Sequence, residues 1–329
     1  MTTPTRIKSK GREADPVLVV GSVAYDSIIT PHGSGERILG GSASYACLAA
    51  SYFAPPHIVG VVGHDFRDRD RNKLAKRGID LDGLLTDSSG RTFSWRGRYH
   101  ENYNRRDTED LQLNVFERFQ PRLTEAQQTM PYVMLGNIRP DLQLEVLNQL
   151  TSPRFVLADT IDIWIETQRD KLGEVMRRAD LLVVNDTESA KLTGEANVIV
   201  AGHALRKHGC KTVIIKKGEH GAVLFHEEGL FALPAFPVTD LRDPTGAGDS
   251  FAGALLGRLS HAPLHIARLV HVGNLVRQSN ADQARDLALH EVGTAPVGEV
   301  GNQERRQAGE RRGGVEGPGQ DRAGLREEV

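Results

Sequence analysis

Cysteine is nearly absent from this chain of 329 residues, with only Cys47 and Cys210 present. Neither belongs to a C-x-x-C or other paired spacing, which excludes a disulfide framework and a thiolate zinc site and predicts two buried spectator thiols in a reducing compartment. Charge of either sign is in no excess: 41 basic side chains face 43 acidic ones. No net field therefore draws the chain to nucleic acid or to an anionic membrane. Apolar runs stay far short of a membrane span, and the opening segment "MTTPTRIKSKGREADP" lacks the apolar stretch of a signal peptide. The expectation is a cytoplasmic protein whose partners are small molecules. Aromatic residues and lysine are missing altogether from Ala252 to Val329, a stretch that holds ten arginines. Its last part is rich in Gly, Arg and Glu without apolar periodicity, so it reads either as a disordered appendage or as the product of a changed reading frame.

What is present is a recurring alternation. Short apolar runs closed by a polar or glycine residue, "VLVVGS", "HIVGVVG", "YVMLGN", "RFVLAD", "DLLVVN" and "TVIIKKG", predict strands buried on both faces. Between most of them lie the helical patterns "DRDRNKLAKRG", "PDLQLEVLNQL", "TQRDKLGEVMRRA" and "ESAKLTG…IVAGHALRKHG", with Gly78 and Gly209 at C-cap positions. Together they predict an α/β fold with a doubly wound, mostly parallel sheet covered by helices on both faces. In such a sheet ligands bind beyond the carboxyl ends of the strands, so Asn137, Asp159, Asn185 and Gly218 are expected on one rim. "GRTFSWRGRY" and "LQLNVF" have the period-two alternation of half-exposed antiparallel strands, and "SIITPHGSGERILGG" has the makings of a hairpin. These predict a small β-sheet lid inserted at about residues 27–40 and 90–118, with an edge extension of the main sheet as the plainer alternative. The free edges of such a lid also allow a homodimer. The expected organisation is a leader at 1–15, one domain at 16–280 and an atypical tail at 281–329.

The stretch "RDPTGAGDSFAGALLG" carries most of the chemistry. Phe251, Leu255 and Leu259 recur at helical spacing, which predicts a buried helix beginning near Gly248 with Asp249 in its first turn. Backbone N–H groups at a helix start form an anion site, and Gly246, Ala247 and Gly248 leave it open to a phosphate. A carboxylate beside that site can take a proton from an incoming hydroxyl. The same residues also make an ordinary capped turn.

"DPTGAGDSFAGAL" resembles the C-terminal signature of the ribokinase-like, phosphofructokinase-B type carbohydrate and nucleoside kinases. "VVGSVAYDSI", "GGSASYACLAAS", "VVGHDFRDRDRNKLAKRGIDLDGL", "NDTESAKLTGE" and "VIIKKGEHGAVLF" fall in that family's order. The resemblance implies an ATP- and Mg2+-dependent phosphotransferase acting on an alcohol group of a small sugar or nucleoside. It implies Asp249 as the catalytic base and Gly246, Ala247 and Gly248 as the anion hole. Asn185 and Glu188 match the family's Asn-x-x-Glu, which holds nucleotide phosphates and, through water, Mg2+; the same spacing is also a helix capping box. Lys216, Gly218 and Gly221 align with the nucleotide loop, and Asp243 and Thr245 with positions that hold K+ in some members.

On the acceptor side, Asp26 matches the residue that binds sugar hydroxyls, and Gly40 and Gly41 the glycine pair that admits substrate. By strand-end position, Asn137 and Asp159 are expected to face the acceptor as well. Two departures stand out. Many members have Asn where this chain has Tyr45, and the segment "HIARLVHVGNLVRQSN" resembles the family's adenine wall poorly. The second departure leaves open a non-catalytic, ligand-binding relative with impaired nucleotide binding.

Overall fold

The computed structural model describes residues 14–101, 106–239 and 241–261. The expected tail at 281–329, and the leader up to residue 13, lie outside the described residues. Among the described residues thirteen strands form two sheets. The strands are β1 (Val17–Val20), β2 (Ala24–Thr30), β3 (Gly33–Gly40), β4 (Pro56–Gly63), β5 (Asp80–Asp87), β6 (Phe93–Tyr99), β7 (Arg106–Gln112), β8 (Tyr132–Leu135), β9 (Phe155–Asp159), β10 (Leu181–Asn185), β11 (Val213–Lys216), β12 (Ala222–His226) and β13 (Gly229–Leu233). The helices are α1 (Ser42–Ala50), α2 (Asp68–Lys76), α3 (Glu125–Gln128), α4 (Pro140–Gln149), α5 (Asp162–Thr167), α6 (Arg169–Arg178), α7 (Asp186–Thr193), α8 (Val198–Lys207) and α9 (Ala247–Leu259). The larger sheet has the order β13-β12-β11-β10-β9-β8-β1-β4-β5, and the smaller β3-β2-β6-β7.

From β11 to β5 the large sheet is parallel; β12 and β13 close one edge antiparallel. Its strands read as unbroken apolar runs because successive side chains enter two separate cores. Val17, Val19, Leu181, Val183 and Ile214 pack with α1, α2 and α9 on one face. Leu18, Val20, Leu182, Val184, Val213 and Ile215 pack with α4, α6 and α8 on the other. The order reverses at β1, which pairs with β4 on one side and β8 on the other. A crevice for ligands opens at such a reversal, beyond the carboxyl ends of the strands.

The small sheet is inserted between β1 and α1 and again after β5. Its strand β2 pairs antiparallel with β3 and parallel with β6. β7 forms its outer edge, with all seven residues exposed. The alternation expected through "LQLNVF" stops sooner than the sequence implied. Asn114 takes a left-handed backbone, φ 51°, and its amide donates to the Thr92 carbonyl at 3.0 Å. The chain then turns into a 3-10 segment that buries Val115 and Phe116 in the main core. The expected helix across "ESAKLTG…IVAGHALRKHG" is two helices, because Gly194 ends α7 in the left-handed conformation at φ 79°. Cys47 and Cys210 are both buried and free, as expected. No helix among the described residues is long and apolar enough to cross a membrane.

The contact that positions the site is between α1 and α9. A β-carbon on Gly253 would collide with the backbone of Ala46, and one on Gly257 would lie 3.0 Å from the Ala50 carbonyl oxygen. Small residues on both helices therefore let their backbones meet. Gly253→Ala is expected to lower the unfolding free energy by about 2 kcal/mol, since overpacking against main chain outweighs the gain in helix propensity. Urea denaturation checks this, and an unchanged midpoint would contradict the close approach.

Candidate active site

α9 begins where Gly246 adopts φ 73° as its N-cap, a left-handed conformation that glycine reaches without strain. The space above Gly246 is filled by the ring of Tyr45, which a β-carbon at that position would strike. Gly246 is thus required twice, by its backbone and by its neighbour. Asp249 follows in the first turn of α9. Its carboxyl is pushed up to about 7, mainly by desolvation and then by the charge of Asp159, while Lys216 and Arg106 pull it down.

The large sheet delivers three more charged groups to the same rim. Asp159 ends β9, Lys216 ends β11, and Glu188 sits in the first turn of α7 directly after β10. The Lys216 ammonium lies against Gly248, 2.7 Å from where a β-carbon would be. Burial works to lower its pKa, but Asp159, Glu188 and Asp249 together raise it, so the lysine stays charged. Asp159 and Glu188 are both buried, at 5% and 6% exposure. Desolvation raises the pKa of each, against the pull of Lys216. Asn185 and Glu188 form a capping box: Glu188 N donates to Asn185 Oδ1 and Asn185 N to Glu188 Oε2, each at 2.7 Å. The capping reading of Asn-x-x-Glu therefore holds in full, and the Glu188 carboxylate also feels the charge of Lys216.

Across the cleft, Asp26 on β2 is 5% exposed. Gly40, its neighbour on β3, has no β-carbon because the Asp26 carboxylate occupies that space. Gly41 caps α1 at φ 91° with Ser22 and Ala24 main chain pressed against it. Tyr45 Oη donates to Asp26 Oδ2 at 3.3 Å. The Asp26 carboxyl is raised to about 7 by burial, with the Tyr45 hydroxyl lowering it, the charges of Asp243 and Asp249 raising it, and Arg106 lowering it. Asp26 and Asp249 therefore feel one another, and Tyr45 touches both sides of the cleft.

The other sequence candidates distribute unevenly. Asp159, expected toward the acceptor, lies within electrostatic reach of Lys216, Glu188 and Asp249. Asn137 Oδ1 accepts from Trp164 Nε1 at 2.9 Å, so its oxygen is committed to holding α5. Lys216 leaves the loop with which it aligned and points to α9. Gly218 and Gly221 bound a 3-10 turn, and a β-carbon on Gly221, φ 88°, would enter the Leu233 backbone. Asp243 Oδ1 accepts from Thr245 N at 2.9 Å, and Thr245 Oγ1 donates to Tyr99 Oη at 3.0 Å. Tyr99 and Arg106, cross-strand partners on β6 and β7, were not singled out in the sequence as site residues. Only the alternation of "GRTFSWRGRY" pointed at Tyr99, and nothing local marked Arg106.

Residues 14–278 match the profile of the pfkB family carbohydrate kinases. The chain belongs to that family. This pfkB-family chain is 30% identical over 251 residues to a cytidine kinase of Thermococcus kodakarensis, covering 74% of this chain and 88% of the relative. Among solved structures, a nucleoside kinase of Burkholderia thailandensis in complex with inosine aligns with a TM-score of 0.66 at 19% identity, covering 80% of this chain and 89% of that one. The E. coli protein described as ribokinase II, with ATP and Mg2+, aligns at a TM-score of 0.67 and 17% identity, covering 84% and 99%. These likenesses bear out the doubly wound fold with its smaller sheet.

The electrostatics of this pfkB-family site make a measurable statement about stability. With its carboxyl raised to about 7 against about 4 in the unfolded chain, Asp26 holds a proton longer when folded. Its contribution is thus fully present below about pH 4 and is lost as pH rises through about 7. Asp26→Asn is expected to melt above the wild type at pH 8, with the gap closing toward pH 4. Thermal melts across that range check it, and a gap independent of pH would count against a desolvated carboxylate.

Proposed function

We propose that the chain transfers the γ-phosphoryl group of ATP to an alcohol of a small sugar or nucleoside, with Asp249 as the base. The observation that carries this reading is the position of Asp249: it opens a glycine-flanked helix, beside the Lys216 ammonium, and within electrostatic reach of the buried Asp26. An alcohol held by Asp26 would present its hydroxyl to Asp249, which accepts the proton as the oxygen attacks phosphorus. The amides of Gly246 and Gly248, that of Ala247 once it leaves the Pro244 carbonyl, and the charge of Lys216 would then face the oxygens on which charge develops, as fixed donors do best where water is excluded. A pKa near 7 suits a base that must be ionised to act yet accept a proton readily. Gly40 and Gly41 let the acceptor approach main chain, and the small sheet covers the cleft against hydrolysis of ATP.

The donor set on the phosphate side suits Mg2+. Asp159, Glu188 and Asp249 outnumber Lys216, so carboxylate charge remains to be balanced, and hard oxygen ligands are what Mg2+ takes. Among the described residues no three acidic, His or Cys side chains converge tightly enough to hold a metal unaided. Glu188, with Asn185 beside it, would hold the ion through water together with phosphate oxygens. The ion supplies charge neutralisation of the triphosphate. Asn185, Gly218 and Gly221 would border the nucleotide. Potassium forms no part of the proposal.

A nucleoside is the first acceptor to try, because the relative matched over 88% of its length is a cytidine kinase. ADP release with MgATP is expected from at least one of cytidine, inosine, ribose and fructose. Asp249→Asn is expected to lower kcat by about a thousandfold while MgATP binding, read by calorimetry, persists. Silence of a folded wild type toward all four acceptors, or full activity of the Asn variant, would refute the reading. Failure of MgATP to bind would favour the non-catalytic relative.

A further inference from the structure

The loop that leads into α9 is held partly by its own turn. Asp243 N-caps the turn through Thr245 N, Ala247 N donates to the Pro244 carbonyl at 3.1 Å, and Ser250 N donates to the Gly246 carbonyl at 2.8 Å. All of these stay within residues 243–250. A hydrogen bond from Thr245 Oγ1 to Tyr99 Oη, at 3.0 Å, ties this stretch to the small sheet. Tyr99 is 7% exposed and closes β6, opposite Arg106 on β7. β6 in turn is the parallel neighbour of β2, in the register that sets Asp26 beside Trp95. One rigid pair of strands therefore carries the acceptor carboxylate at one point and the tether to the anion loop at another.

We propose that Tyr99 is a positioning residue for the anion hole: its hydroxyl ties the small sheet to the Thr245 loop and so makes the geometry of the 246–248 amides depend on where that sheet sits. This rests on the phosphotransfer reading of the site and goes beyond it. The amides work only if they are fixed before charge develops, and a hydrogen bond one residue before Gly246 helps to fix them. Tyr45 contributes from beneath, with its ring against Gly246, but it belongs to α1 and stays with the large sheet. Tyr99 alone of the two moves with β6. Seating of the small sheet over a bound acceptor would thereby be read directly at the phosphate cradle.

The test uses Tyr99→Phe, Thr245→Val and the double variant in the full chain, with hydrogen exchange of residues 243–250 followed by mass spectrometry. Loss of the hydroxyl is expected to speed exchange of that segment by about tenfold, the scale of one neutral hydrogen bond. It is expected to lower kcat by a similar factor while leaving KM for the acceptor within about twofold. Because the two groups share one bond, the double variant should be no worse than the weaker single one. Unchanged exchange in Tyr99→Phe, or losses in kcat that multiply in the double variant, would overturn the proposal. Thr245→Val, on a partly exposed loop, supplies the same readout should Tyr99→Phe disturb β6. If no acceptor is phosphorylated by the wild type, the phosphotransfer reading fails, and the exchange rates still decide whether the tether exists.

Discussion

The arrangement of this site rests on two helices that touch through their backbones. α1 and α9 are far apart in sequence, and each is built of small residues where they meet: Gly253 against Ala46, Gly257 against Ala50. Larger side chains would push the axes apart by ångströms. With the axes close, the N-terminus of α9 arrives beside Tyr45 of α1, and Tyr45 reaches Asp26. The distance between the candidate base and the candidate acceptor carboxylate is thus tied to packing that begins one turn beyond Asp249 on α9 and directly after Tyr45 on α1.

Charge is organised around that packing in an unusual balance. Buried carboxylates normally cost free energy unless paired, and here Asp26, Asp159, Glu188 and Asp249 are all raised by desolvation with Lys216 as the nearby cation of the large sheet. A core arranged for stability alone would not keep them. Asp159, Glu188 and Asp249 gather around Lys216, with Asp26 of the small sheet within electrostatic reach of Asp249, the kind of arrangement that marks a candidate site rather than a scaffold.

The fold was legible because its strands are covered on both sides. Runs such as "VLVV" and "LLVV" leave no polar face to confuse with a helix, and the glycines at 78 and 209 end the helices expected before them, whereas the break at Gly194 was missed. The GAGD stretch was legible for a similar reason, as small residues and one carboxylate at a helix start have few other uses. What local sequence did not carry was the assignment of rim residues to sides of the cleft. Asp159 and Asn137 occupy equivalent strand ends, and only the order of strands puts Asp159 with Lys216, while Trp164, distant in sequence, takes the Asn137 oxygen. Tyr99 escaped notice because its partner Thr245 lies 146 residues away. The end of β7 was misjudged because a single left-handed Asn114 breaks an alternation that composition alone would continue.

The outer strand of the small sheet has a consequence of its own. β7 reads "RDTEDLQ", fully solvated along an unpaired edge. A twin strand joining it antiparallel would set Asp107 opposite Asp110, or Glu109 opposite its own copy, and like charges so placed repel. Glu109 is paired with Arg98 and Asp107 with His100, so a twin strand would also compete with those contacts, which disfavours runaway strand addition at the outer edge of β7.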